Sequence, residues 1–297
     1  MKQIRSLSEF HRLLGLGKPK HPLISLIYDK DVQWSSEIEF EKLELDFYII
    51  SLKYHEQPMK YGRNFYDFEE GTLVFTAPNQ IIETFEKPSF TKDLGWALIF
   101  KPELIQSSVL GEKIKEYDFF YYDSFESLHM SEQENEIIND IVKKVKYEYE
   151  LNLDKHSHAL IVSHLEVLLQ YCNRFYERQF LTRSPVNSDV LSKFEKILSQ
   201  FYSENKENSG LPSVQYCAEC LNYSPKYLSN LLKVETGKNA QEHIHQFILN
   251  RAKNKLLYST ESISEIAYDL GFDYPQSFTR FFKAKEKITP NQFRMQN

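Results

Sequence analysis

No apolar run in this chain approaches a membrane span. The longest, such as Leu23 to Tyr28 and Phe47 to Leu52, fall far short of the roughly 20 residues that a transmembrane helix needs. Cysteine is scarce, and 3 of them cannot build a disulfide framework. The opening MKQIRSLSEFHRLL has no long apolar core and no small-residue cleavage site, so no signal peptide is expected. A Gly-rich phosphate loop of the form GxxxxGK[ST] is missing, and so is a GxSxG elbow. There is no low-complexity tract. These absences point to a soluble cytoplasmic protein and away from phosphate-cradling or serine-nucleophile enzymes.

What remains is 297 residues, enough for two ordinary domains. The net charge of −6 argues at first against a polyanionic partner, but the charges are unevenly spread. Residues 190–297 carry 14 Lys and Arg against 11 Asp and Glu, whereas residues 1–189 carry 22 against 31. A nucleic-acid face needs local positive charge, not a positive whole.

The first 130 or so residues read as short strands. Leu23 to Tyr28 and Phe47 to Leu52 are rich in β-branched and aromatic residues. Gly71 to Thr76 and Gly95 to Phe100 repeat that composition, and turn residues separate all four. Such spacing suggests an antiparallel barrel or sandwich. Two helices should follow. Ser131 with Glu134 reads as a capping box ahead of Ile137, Ile138, Ile141, Val142 and Val145. A second amphipathic stretch covers about residues 156–180 and packs either on the barrel or on its counterpart in a second copy. The polar, Pro-containing stretch 182–188 reads as the linker.

The most informative stretch lies near the C-terminus, at residues 262–290. Ser262 and Glu265 form a capping box, and Ile263, Ile266, Ala267 and Leu270 make one apolar helix face. Gly271 stops that helix. Pro275 suits the first turn of the next, which keeps Phe278, Phe281 and Phe282 inward and a polar, basic side outward. This is a helix-turn-helix. It also occurs twice: residues 218–238 align with residues 267–287 without a gap, 49 apart, and a long helix, Gln241 to Tyr258, joins the two copies.

The residues Ile266-Ala267, Leu270-Gly271-Phe272, Ser277-Phe278-Thr279-Arg280-Phe281-Phe282-Lys283, Thr289-Pro290 and Phe293-Arg294 resemble the signature of AraC-type transcription regulators. One departure is Lys287, where that family usually has Gly. A lysine there must take a left-handed conformation at some cost or turn differently. EEGTLVFTAPNQ and GWALIFKPELI are similar to the strands of the cupin-like sensor domain of such regulators. The resemblance implies an α+β chain. Residues 1–185 would form a cupin-like sensing and dimerising domain, with a β-barrel at about 20–130 and trailing helices at about 131–180. Residues 188–297 would form an all-α DNA-binding domain. The implied partners are double-stranded promoter DNA, a small-molecule effector, RNA polymerase and a second copy of the chain, with no membrane. The implied role is activation of transcription, not catalysis.

By position in the matching motif, Lys226, Ser229 and Asn230 project from the first probing helix, and Gln276, Ser277, Thr279 and Arg280 from the second, as base readers. Paired hydrogen bonds from such side chains give about 1–3 kcal/mol of discrimination each. Lys233, Lys238, Lys283 and Lys285 read as phosphate contacts. Arg280 has an alternative as an internal ion pair with Asp273 or Glu286. Trp34, Tyr48, Tyr54, His55 and Trp96 are candidates to line a ligand space in the barrel, or else are plain core aromatics. Metal cupins group His, His, Glu and His at set spacings. Here His21 and His55 stand alone, so neither metal nor cofactor is expected. Cys217 and Cys220 with His243 and His245 hint at zinc. Cys217 holds an apolar helix position, though, and reads as a small buried hydrophobe. Two rivals stay open: a cupin-type enzyme, and a DNA reader whose barrel only dimerises or docks a protein.

Overall fold

The computed structural model describes residues 2–33, 42–54, 60–61, 64–65, 71–83, 95–123, 126–151, 154–182, 184–204 and 210–296. The chain divides into two compact units, Met1–Gln179 and Phe180–Asn297. Among the described residues, no helix is long and apolar enough to cross a membrane.

Unit 1 runs β1 (Lys2–Ile4), α1 (Leu7–Leu13), β2 (Ile24–Tyr28), β3 (Lys42–Leu45), β4 (Tyr48–Lys53), β5 (Lys60–Tyr61), β6 (Asn64–Phe65), β7 (Thr72–Thr76), β8 (Ile81–Glu83), β9 (Trp96–Phe100), α2 (Pro102–Ile105), α3 (Val109–Lys113), β10 (Leu128–His129), α4 (Glu132–Glu150) and α5 (Ser157–Thr182). The four strands expected from composition are present as β2, β4, β7 and β9. They form, with β10, an antiparallel sheet of order β10-β7-β4-β9-β2. A smaller sheet has order β1-β3-β8, with β1 parallel to β3, and β5 pairs with β6.

The closed barrel expected from the sequence is not what the described strands make. Their hydrogen bonding stops at β2 and β10 in the large sheet. One physical reason is visible at β2, where the Leu26 N–H donates 3.0 Å to the Tyr149 hydroxyl of α4 instead of to another strand. A side chain thus covers the sheet edge. Burial pushes that hydroxyl up to about 12.

Opposite residues in a ladder share a face. Tyr48 faces Phe100, Ile50 faces Leu98 and Leu52 faces Trp96, so these six lie on one side of the sheet. Helices cover that side: the Trp96 indole donates 2.9 Å to Asn139 Oδ1 in α4. The other side carries Ile27, Ile49 and Ile99, which join Ile4, Leu7, Leu14, Leu43, Leu45 and Phe47 in an apolar cluster against α1 and the small sheet. His11 pins α1 there, with Nδ1 2.7 Å from the Gly17 carbonyl and Nε2 2.8 Å from Ser25 Oγ. α4 starts on the expected Ser131–Glu134 capping box. Arg178 of α5 holds the same Glu134 with two bonds of 2.9 and 2.7 Å and donates a third to the His129 carbonyl.

Unit 2 runs α6 (Ser184–Glu204), α7 (Val214–Leu221), α8 (Pro225–Thr236), α9 (Ala240–Tyr258), α10 (Ile263–Asp269), α11 (Pro275–Glu286) and α12 (Pro290–Gln296). α6 begins inside the stretch read as a linker. Pro185 lies in its first turn, where the missing N–H breaks no hydrogen bond. The repeat also differs from the gap-free alignment. Left-handed Asn222 and Gly271 stand 49 apart, but the helix starts Pro225 and Pro275 and the left-handed C-caps Gly237 and Lys287 stand 50 apart. The second turn is therefore one residue longer. α9 buries Ala240, Ile244, Ile248, Leu249, Ala252 and Leu256. Lys255 clamps its end to the second unit, 2.9 Å from Glu261 and 3.1 Å from Asp269.

Two stability outcomes follow from these local features. Lys287 adopts φ 68°, which costs a side-chain-bearing residue about 1–2 kcal/mol. Lys287→Gly is expected to stabilise the chain by only about 0.5–1 kcal/mol, because the strain it relieves is partly offset by the greater freedom that glycine loses on folding. Gly271→Ala should destabilise by more than about 1 kcal/mol, because φ is 92° and the new Cβ would run into the Gly210 carbonyl. Urea titrations followed by circular dichroism test both, and a lower midpoint for Lys287→Gly would overturn the strain assignment.

Lys255 gives a pH signature. Burial works against its charge, but hydrogen bonds to Glu261 and Asp269 outweigh it and raise its pKa above the ordinary lysine value of 10.5. A raised folded-state pKa contributes stability that is complete below the unfolded value and is lost as pH rises through the folded one. The difference in urea midpoint between wild type and Lys255→Gln should therefore hold steady from neutral pH to the unfolded value and shrink above it. A difference that does not change at high pH would assign the effect to packing.

Candidate nucleic-acid interface

Each of the two repeats is built the same way locally. Ser213 caps α7, its hydroxyl accepting the Tyr216 N–H at 3.1 Å, and Ser262 caps α10 in a full capping box with Glu265. α7 ends on left-handed Asn222, and left-handed Gly271 follows the α10 C-cap Leu270; either conformation turns the chain sharply. The second helices bury Tyr227, Leu228, Leu231 and Leu232 in α8 and Phe278 and Phe282 in α11. Burying side chains of this size gives about 1.5–3 kcal/mol each, which is what seats the helices.

That burial leaves one stripe of α8 and of α11 facing out. On α8 it runs Lys226, Ser229, Asn230, Lys233; on α11 it runs Gln276, Thr279, Arg280, Lys283; Ser229, Asn230 and Thr279 are half-buried and the rest exposed. Both sets follow the spacing i, i+3, i+4, i+7, and each residue of one has its counterpart 50 positions on. Ser277 is exposed beside the second stripe, while its counterpart Tyr227 is buried. Lys238, Lys283 and Lys285 are exposed too. Lys233 lies in the last turn of α8, and Lys283 and Lys285 in that of α11, where the helix dipole favours positive charge.

Ser229 and Thr279 are among the stripe residues with partners inside the chain. Ser229 Oγ accepts the Ala240 N–H at the start of α9 (3.4 Å), and Thr279 Oγ1 donates 3.0 Å to the Pro275 carbonyl within α11. The internal ion pair considered for Arg280 is not formed with Glu286, which instead pairs with Lys253 of α9 at 2.7 Å. Burial, and after it Lys285, lowers the pKa of His245, whose ring stands edge-on to Phe281 at 5.4 Å. His243 lies 2.7 Å from Thr236 Oγ1, and Cys217 is fully buried while Cys220 is exposed. Among the described residues, no group of three or more His, Cys, Asp or Glu is arranged to hold a metal ion.

Tyr274 does not stand out in the sequence. It is 66% exposed at the N-cap of α11 and supplies no side-chain cap, whereas its counterpart Ser224 caps α8 by accepting the Tyr227 N–H at 3.3 Å. The signal was the residue type itself, since tyrosine cannot replace serine as a cap.

The pocket candidates of unit 1 are dispersed. Tyr48 is stacked on Phe100 at 5.1 Å and stands edge-on to Phe120. Trp96 is buried against α4, and the Tyr54 hydroxyl accepts from Asn135 Nδ2 at 3.0 Å. Tyr48 and Trp96 share the helix-covered side of the sheet. Trp34 and His55 lie outside the described residues.

A sequence profile for a helix-turn-helix domain matches residues 217–296. The Multiple antibiotic resistance protein MarA of Escherichia coli (strain K12) is 32% identical over 85 residues, 29% of this chain and 67% of MarA. The uncharacterized HTH-type transcriptional regulator YobQ of Bacillus subtilis is 33% identical over 28% of this chain. The chain spans 34% of YobQ and 10% of the larger regulator YtdP of the same organism. Among solved structures, the C-terminal domain of the response regulator yesN from Fusobacterium nucleatum is 28% identical over 34% of this chain and 96% of that chain, with a TM-score of 0.30. By this likeness to MarA and the repeated helix-turn-helix that carries it, the chain belongs to the AraC/XylS family of helix-turn-helix regulators.

Proposed function

We propose that the chain is a sequence-specific DNA-binding transcription regulator of the cytoplasm. Unit 2 reads double-stranded promoter DNA, and unit 1 serves as a cupin-like sensing and dimerising domain. The observation that carries this reading is the repeated outward stripe on α8 and α11, in equal register and held on one connector. A 19-residue helix such as α9 is about 28 Å long at 1.5 Å per residue, comparable to the roughly 34 Å between successive major grooves on one DNA face.

In this reading Lys226, Ser229, Asn230, Gln276, Ser277, Thr279 and Arg280 meet base edges, and Lys233, Lys238, Lys283 and Lys285 meet phosphates. Arg280 and Gln276 are the strongest discriminators, for guanine and adenine respectively. The regulator works as a homodimer and activates transcription through a contact with RNA polymerase. Its response to a small molecule rests on population shift: a ligand that binds one state of the protein better draws the ensemble toward it.

The test is fluorescence anisotropy on DNA from upstream of the protein's own gene and its neighbours, at several salt concentrations. Gln276→Ala should flatten the preference between sequences, losing about 1–3 kcal/mol of discrimination. Lys283→Ala should weaken every sequence alike and reduce the salt slope by about 1. A wild-type protein that binds all DNA equally at every salt concentration would sink the reading.

A further inference from the structure

We propose that one end of the large sheet of unit 1 is a site for a small zwitterion of the amino-acid class, whose carboxylate meets Lys53 and whose ammonium meets Asp29. This deepens the small-molecule arm of the reading above. The side of the sheet opposite the aromatic, helix-covered one changes character along its strands. Its apolar end is Ile49 and Ile99, part of the cluster around Phe47. The middle is Ser51 with Val74 and Ala97, all half-buried. The far end is a row of polar groups crossing the sheet from strand to strand. Thr72 pairs with both His129 and Lys53, Gly95 follows beyond the Leu52–Trp96 pair, and Asp29 donates its N–H to the Gly95 carbonyl at 3.0 Å. The Thr72 hydroxyl is 3.3 Å from His129 Nδ1.

Gly95 has a specific task in this row. A Cβ there would occupy the place of an Asp29 carboxylate oxygen, so the missing side chain is what lets that carboxylate lie over the strand. Asp29 and Lys53 thus face the same end of the same sheet, and each acts on the other electrostatically without a hydrogen bond between them. Burial lowers the pKa of Lys53, with Asp29 opposing, and raises that of Asp29, with Lys53 opposing. Two opposite charges held near each other but not closed into a bond are costly where they are half desolvated. A lone carboxylate or a lone amine entering here would leave one charge over. A zwitterion pairs both and adds no net charge, and Ser51 and Thr72 offer hydroxyls on the same side.

The full chain is tested by thermal shift and calorimetry with free amino acids, from α-amino acids to 4-aminobutyrate. Each is set beside the matched acid lacking the amine and the matched amine lacking the acid. Zwitterions are expected to raise the melting temperature with rising concentration, and the half-molecules to do so at least about tenfold less effectively. Lys53→Gln and Asp29→Asn should each weaken binding at least about tenfold. No shift with any amino acid overturns the proposal, as does an acid or amine that binds as well as its zwitterion, or binding left intact in Lys53→Gln. Should a variant fail to fold, the comparison among the three ligand types in wild type decides alone. Anisotropy on DNA, run on the same samples without amino acid, reports separately on the regulator reading.

Discussion

One helix, α9, constrains the whole of unit 2. It must bury a side shared with α7 and α8 and also meet α10 and α12. Six buried side chains on it supply the driving force, the four Ile and Leu giving roughly 1.5–3 kcal/mol each and the two Ala less. The ion pairs around it are weaker, about 0–1 kcal/mol where exposed, so they select geometry more than they hold it. Lys253 ties α9 to Glu286 and Lys255 ties it to Asp269. Arg294 of α12 donates 3.1 Å to the Leu256 carbonyl, and Thr236 at the end of α8 meets His243. Both helix-turn-helix units are therefore fastened to one stiff rod, and the separation of their outward stripes is set by a helix that contributes nothing to either stripe.

Much of this was legible because it is local. Ser131, Ser262 and their glutamates announce helix starts through a chemical pairing three residues apart, and each is found as a capping box. Four strands were legible from β-branched and aromatic runs. The strands missed, such as β1, β8 and β10, have two or three residues, too few to show a period of two. The turn of the second unit was misread for a similar reason. Leu221 with Leu270 and Ala218 with Ala267 fix a spacing of 49, and nothing in the turn residues themselves says that one more is inserted before Pro275. The helix starts Pro225 and Pro275 and the paired C-caps, Gly237 and left-handed Lys287, reveal the spacing of 50.

Unit 1 shows where composition stops being informative. Tyr48 and Trp96 drew notice as aromatics in strands, which says that they are buried but not on which side. The side depends on register: because Tyr48 faces Phe100 and Leu52 faces Trp96, both rings lie under the helices. The opposite side holds Ser51, Lys53 and Thr72, residues that look like solvent-facing alternation when read along a single strand. Only the pairing of five strands assembles Lys53 and Thr72, with Asp29 and His129, into a polar row across the sheet, with Ser51 one row further in beside Val74 and Ala97.

The two helix-turn-helix units are not equivalent, and their differences concentrate in the turns. Ser224 caps α8 where Tyr274 leaves α11 without a side-chain cap, and Gly237 ends α8 without strain where Lys287 ends α11 with it. Yet the outward stripes keep one register, Lys226 with Gln276 through Lys233 with Lys283. The apolar residues behind them explain this. Leu228 and Leu232 in α8 correspond to Phe278 and Phe282 in α11 at the same spacing, and these buried side chains fix the rotation of each helix. A cap can lose its hydroxyl at a cost of about 1 kcal/mol, and a turn can gain a residue for less than that. Rotating a helix would expose two large side chains at several times that cost. The core therefore holds the outward stripe in place while the turns are free to vary.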